Sequence, residues 1–167
     1  MRESIHKYLQ VGLISFMAYP ANLRGTDENI LNVLKKVACD DYFDAIEVNW
    51  IKDAALREQA AKLLKTSHLK VCYGAQPRLL TTGLNACDVN EEGRKAAEDT
   101  LMEAIDEAEQ LGSDGIAFLA GKWAEDTKEL AYSQLLKTTR NLCAYAKTKR
   151  MNVELEVFDY DIAKKSL

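Results

Sequence analysis

The stretch Asn152-Val-Glu-Leu-Glu-Val-Phe-Asp-Tyr-Asp161 decides how this chain is read. Val153, Leu155 and Val157 alternate with Glu154, Glu156 and Phe158. Side chains on a strand point to opposite faces with a period of two. One face is therefore β-branched and apolar, and the other carries two carboxylates. An exposed edge strand has this pattern. So does a strand of a parallel barrel, with its apolar face under helices and its acids aimed at a central site.

Upstream of this stretch, helical and strand patterns alternate. Residues 127–148 carry Leu130, Ala131, Leu135, Leu142 and Tyr145 at helical spacing, with Lys147, Lys149 and Arg150 at or beyond the negative end. Residues 114–120 form an apolar run closed by Gly121-Lys122-Trp123. Before it, Ala97, Leu101, Ile105, Ala108 and Leu111 mark a helix that Asp88 opens as a capping residue and Gly112 stops. A strand over 69–75 leads into a long connection holding Gln76-Pro77-Arg78 and Thr81-Thr82-Gly83, and long loops in compact domains are often functional. A helix over 53–66 follows a strand over 43–50, where Ile46 and Val48 face one way and Glu47 and Asn49 the other. Thr26 is placed to cap a first helix opening with Asp27 and Glu28, behind a first strand over 11–17. The order is βα repeated, with no hairpin turn, which means parallel pairing through right-handed crossovers.

The bulk composition is that of an ordinary globular protein: 167 residues, 47 % hydrophobic and 29 % charged. With 22 basic and 26 acidic residues the net charge is -4, so neither nucleic acid nor an anionic membrane is expected as main partner. Cys39, Cys72, Cys87 and Cys143 are far apart, and His6 and His68 are the two histidines. A Cys/His zinc cluster is not expected, and free thiols in a reducing cytoplasm are. Glu3 interrupts the charged start of the chain and no small-residue cleavage site follows the apolar run to Tyr19, which argues against a signal peptide. No apolar run approaches the roughly 20 residues of a membrane span.

Five βα units fit either an open doubly wound sheet or the first part of an eight-fold barrel. The loop after the first strand, Ser15-Phe-Met-Ala-Tyr-Pro20, lacks the glycines of a nucleotide-binding turn. The second and fifth strands carry polar groups on one face, which a sheet covered by helices on both faces disfavours and a barrel interior near its catalytic rim tolerates. The chain reaches Leu167 in what reads as a newly started helix, whereas a complete barrel takes about 250 residues. We therefore expect residues 1–167 to be a single domain, the N-terminal part of an incomplete α/β TIM barrel.

The sequence resembles the sugar phosphate isomerase/epimerase superfamily, the xylose isomerase-like TIM barrels related to endonuclease IV-type enzymes. The matching pieces are Phe43-Asp-Ala-Ile-Glu47, Arg94 with Ala104, Ala108 and Leu111-Gly112, Gly121, and Leu155-Glu156. The resemblance spans nearly the whole chain and about five-eighths of such a barrel. It implies a divalent metal (Mn, Mg, Co or Zn) at the C-terminal mouth, held by a Glu after the fifth strand and by an Asp, a His and a Glu after the next three. Glu156 matches the first ligand. Val157 stands where the family usually has Pro, and Asp159 where it has a polar residue such as Asn.

From the resemblance we expect a metal-dependent isomerase or epimerase of a sugar or sugar phosphate, working by proton transfer through an enediolate. A related polyol dehydratase or abasic-site endonuclease is the alternative enzyme. A non-catalytic half-barrel that self-associates, through strand edges open to partner strands, is the rival of another class. Glu156 is the candidate metal ligand and acid/base; a salt-bridged strand carboxylate would look the same. Glu154, deeper on the same face, reads as a structural ion-pair partner. Glu47 lines the site or pairs with a barrel cation. Lys122 reaches a phosphate or hydroxyl, or is merely exposed. Trp50 and Trp123 wall a sugar pocket or pack in the core, and Asp159 binds substrate or caps the next helix. A homo-oligomer is compatible with all of this.

Overall fold

The structure, a computed structural model, describes residues 4–156. Five short strands carry the architecture: β1 (Gly12–Ile14), β2 (Ala45–Val48), β3 (Lys70–Tyr73), β4 (Gly115–Leu119) and β5 (Asn152–Glu156). β1 pairs with β2 and β2 with β3, and β4 pairs with β5, all in parallel. A parallel bridge between Gly74 and Ala117 joins the two groups, with the Ala75 amide donating to the Ala117 carbonyl at 2.8 Å. The strands therefore stand in sequence order, 1-2-3-4-5. A flavodoxin-type sheet would place the first strand inside, in the order 2-1-3-4-5. Sequential parallel order with helices on one side is the start of a barrel wall, and among the described residues β1 and β5 are not paired to each other.

The register sorts the side chains. Leu13, Ile46 and Val71 stand abreast, as do Phe118 and Leu155. On this outer face Ile46, Val48, Tyr73, Ile116 and Phe118 are buried beneath the helices. The inner face carries Glu47 beside Cys72, then Gly74 beside Ala117, Ala117 beside Glu154, and Leu119 beside Glu156. Polar residues in the strands, Glu47, Glu154 and Glu156 among them, thus fall on the face opposite the one buried beneath the helices.

The helices follow from their apolar spacing. They are α1 (Ser15–Ala18), α2 (Ile30–Ala38), α3 (Ala54–Thr66), α4 (Gln76–Thr82), α5 (Glu91–Leu111) and α6 (Lys128–Thr148). Leu34 of α2, Ala60 of α3, Leu101 and Ile105 of α5 and Leu142 of α6 are completely buried. Burying each leucine contributes about 1.5–3 kcal/mol. α5 is pinned to α6 by the Arg94 guanidinium. It donates to Thr138 Oγ1 at 2.9 Å, pairs with Glu98 one turn on, and reaches Glu91 at 2.9 Å, while Thr138 donates to the Ala86 carbonyl. Gly112 ends α5 at φ 85°, where any other residue would be strained. No helix among the described residues is long and apolar enough to cross a membrane.

Four elements differ from expectation. The first strand stops at Ile14, because Ser15 and Phe16 turn into α1 and bury themselves there; a short apolar run does not distinguish strand from buried helix. α2 begins at Ile30 rather than after Thr26, since the Asp27 carboxylate accepts from the Asn29 amide and holds a turn instead. The cap of α5 is Asn90, whose side chain accepts from the Glu92 and Gly93 amides, and Asp88 serves just before it by accepting from the Asn90 amide. The connection after β3 is also more ordered than it reads: it contains α4, with Pro77 in its first turn.

Candidate functional site

Catalytic groups of TIM barrels gather at the C-terminal ends of the strands. Here that mouth is built by the last residues of β2, β3 and β5 and the segments that follow. Glu156 ends β5, and the Gln76 Nε2 atom donates to its Oε2 at 2.8 Å. Gln76 opens α4, three residues after β3 ends. Between them lies Gly74. A Cβ at Gly74 would collide with Glu47 Oε1 and Gln76 Oε1 and would stand 3.0 Å from the Phe16 ring. The two side-chain oxygens therefore share the space directly above the Gly74 backbone, and glycine is what lets them meet there.

This grouping of acids perturbs Glu47. Burial raises its carboxyl above the ordinary value, and the negative charges of Glu156 and Glu154 raise it further. Below the mouth, Glu47, Cys72, Ala117 and Glu154 line a cleft of about 190 Å³ that continues to Lys70, Asp114 and Asn152 at the starts of the strands. Glu154 thus lies deeper than Glu156, on the same face.

Three buried polar atoms have no hydrogen-bond partner among the described residues: Ser15 Oγ, Asn22 Nδ2 and Gln76 Oε1. All three follow the C-terminal end of a strand, β1 or β3. Buried polar atoms are normally satisfied, and of the three Gln76 Oε1 is the one beside Glu47 and Glu156.

The other expected site residues take different positions. Trp50 follows β2 and leaves 8 % of its surface exposed; its Nε1 donates to the Leu23 carbonyl at 3.1 Å, and its ring meets Lys52 Nζ at 4.0 Å and the Arg78 guanidinium at 5.3 Å. Trp123, also 8 % exposed, packs into the core with Lys128 Nζ 5.0 Å from its ring. Lys122 is exposed and lines a cleft of about 290 Å³ with Asn85, Asp88 and Gly121, and its carbonyl accepts from Asn85 Nδ2 at 2.8 Å. Asp159 lies outside the described residues. Glu47 and Glu156 are the two expected residues that the fold brings to one place.

Sequence patterns single out the connection after β3 but not Gln76 within it. Its signal is positional: a polar residue immediately past a strand end, beside Pro77. α4 is held rigidly by Arg78, which is itself buried. Its guanidinium donates to the Tyr73 hydroxyl at 3.1 Å and to Glu107 Oε2 at 2.8 Å. Glu107 in turn accepts from the Ile51 amide.

The donor chemistry present suits one corner of an oxygen-rich metal site. Glu156 offers a carboxylate with one oxygen already held, and the unpartnered Gln76 Oε1 belongs to the same amide that holds it. Hard divalent cations take such ligands. Among the described residues no group of three His, Cys, Asp or Glu is placed to hold a metal, so these residues supply part of a ligand set and not a whole one.

A parallel, sequentially ordered βα wall with acids at its C-terminal mouth defines the class of (β/α)-barrel proteins. Residues 37–164 match the family model of the xylose isomerase-like TIM barrel, and the chain belongs to that family. Among solved structures, a D-tagatose 3-epimerase-like protein superposes with a TM-score of 0.73 at 16 % identity, covering 93 % of this chain and 55 % of its own. D-Psicose 3-epimerase from Clostridium cellulolyticum H10, solved with D-tagatose, gives 0.67 at 15 % identity, covering 95 % of this chain and 54 % of its own. A protein from Thermus thermophilus, soaked with ZnCl2, gives 0.52 at 19 % identity, covering 87 % and 54 %. The chain thus spans about half the length of the solved structures it matches. No curated protein matches it.

Proposed function

We propose that residues 1–167 form the N-terminal part of a barrel that isomerises or epimerises a sugar or sugar phosphate with the help of a divalent metal ion. The observation that carries this is Glu156. It stands at the C-terminal end of β5, with one carboxylate oxygen fixed by Gln76 and Glu47 close by. Family membership and the two epimerase-named neighbours support the same choice.

Manganese, magnesium, cobalt or zinc bound there would polarise the substrate carbonyl and acidify the neighbouring carbon. Glu156 would be the ligand from this chain. As a carboxylate at the reacting carbon it would also take and return the proton as the substrate passes through an enediolate. Glu47 suits a complementary duty. Its Oε1 stands in the shared space above Gly74, within reach of a substrate oxygen, and burial with the charges of Glu156 and Glu154 raises its carboxyl above the ordinary value. Lys122, exposed in the cleft after β4, would be the residue to meet a phosphate or hydroxyl. Trp50 and Trp123, both 8 % exposed, fit packing better than stacking on a sugar, and Asp159 would supply a further polar contact to the substrate. The net charge of -4 favours a small sugar over DNA. Four free thiols agree with a cytoplasmic setting.

Solvent exchange tests the reaction directly. With a panel of ketohexoses and their phosphates in D2O, the full-length protein is expected to place deuterium at the carbon beside the carbonyl when Mn2+ or Co2+ is present. Chelation and Glu156→Gln are each expected to stop it. Exchange that persists at the parent rate in Glu156→Gln would contradict the role given to Glu156.

A further inference from the structure

We infer that Gln76 is a positioning residue for Glu156, holding Oε2 so that Oε1 is the oxygen free to bind. The inference rests on the assignment of Glu156 as a metal ligand and goes beyond it by naming what orients that ligand. Gln76 and Glu156 are 80 residues apart in sequence, and their hydrogen bond, 2.8 Å long, crosses from the β3 end of the wall to the β5 end. A carboxylate at a strand end has two free torsions beyond the backbone-directed one. Fixing one oxygen with an amide donor selects a single orientation before anything binds, which is how supporting hydrogen bonds commonly tune metal ligands.

The geometry on the Gln76 side makes this more than a surface contact. Gln76 sits in the first turn of α4, whose backbone is clamped two residues later. There Arg78 reaches Tyr73 of β3 and Glu107 of α5 and packs over Trp50. The side chain therefore projects from a fixed base. Its other end, Oε1, is buried without a partner among the described residues and crowds the same space as Glu47 Oε1. Two facing acceptors gain nothing from each other.

Isothermal titration of the full-length, metal-free protein with Mn2+, together with the visible absorption spectrum of the Co2+ form, tests this. Gln76→Leu keeps the volume and removes the donor. It is expected to weaken Mn2+ binding by about 10–100-fold, the usual cost of losing a supporting partner, and to shift the Co2+ bands. Metal-free thermal stability should not fall, since an unpartnered oxygen is removed as well. Gln76→His restores a donor nitrogen at similar reach and is expected to recover the affinity and the parent spectrum. A merely structural Gln76 would lower metal-free stability and leave the Co2+ bands alone. If Gln76→Leu fails to fold, Gln76→Met takes its place with the same expectations. Parent-like affinity and spectrum in Gln76→Leu, with binding lost in Glu156→Gln, would overturn the positioning role while leaving the proposed function standing. Parent-like binding in both variants would overturn the assignment of Glu156 itself.

Discussion

At the residue scale, Glu47 carries the most informative perturbation. Burial and the neighbouring Glu156 and Glu154 make the folded protein hold the Glu47 proton more tightly than the unfolded chain does. Stability from this group is complete below the ordinary value of 4.5 and is lost as pH rises through the raised one. Glu47→Gln has no such loss. Thermal melts of metal-free protein should therefore show similar midpoints for variant and parent near about pH 4 and a higher midpoint for the variant near about pH 8. Equal midpoints at both would show that Glu47 is not strained by its surroundings. The alternation around Glu156 and around Glu47 is legible from sequence because strand periodicity fixes the face of each residue. Gln76 is not, because its importance depends on a partner 80 residues away, and no local pattern encodes that distance. The two tryptophans do follow strand ends as the sequence suggests, but their burial comes from the loops that fold over them. The Leu23 carbonyl and Gly25 against Trp50 are contacts of that kind.

At the scale of elements, α4 is the part that sequence periodicity undervalues. It spans seven residues, too few for an amphipathic stripe to stand out, and Pro77 reads as a loop signal although it suits a first helical turn. What holds α4 is tertiary: the Arg78 guanidinium between Tyr73 and Glu107. Replacing it by Arg78→Met would leave Glu107 buried without its nearest cation, Arg57 being 3.6 Å away. Breaking a buried pair from one side costs about 3–5 kcal/mol. Urea denaturation is expected to show a loss of that order, and a loss under about 1 kcal/mol would place the anchor of α4 elsewhere. The longer helices are legible because their stripes repeat over several turns. Their starts are less so. Asp27 before α2 and Asp88 and Asn90 before α5 are all chemically able to cap, yet Asp27 and Asp88 hold turns and Asn90 makes the cap.

At the scale of the whole molecule, the decision between an open sheet and a barrel wall turns on polar residues in strands, and strand order settles it. Among the described residues, sequential parallel strands put Glu47, Glu154 and Glu156 on one face, opposite the layer of helices that buries Ile46, Val48, Ile116 and Phe118. On the outer face the same alternation buries Ile46, Val48, Ile116 and Phe118, while Leu155 on β5 remains 42 % exposed. The order of strands cannot be read from any one of them, since a βα repeat alone permits both architectures. It takes the polar face of β2 and β5 together to favour the barrel. The central claim is that this face delivers Glu156 to a metal at the mouth. Titrating the metal-free, full-length protein and its Glu156→Gln variant with Mn2+ tests that most directly. Stoichiometric binding in the parent is predicted, with a loss in the variant exceeding the roughly 10–100-fold that a supporting residue accounts for. Undiminished Mn2+ affinity in Glu156→Gln would contradict it.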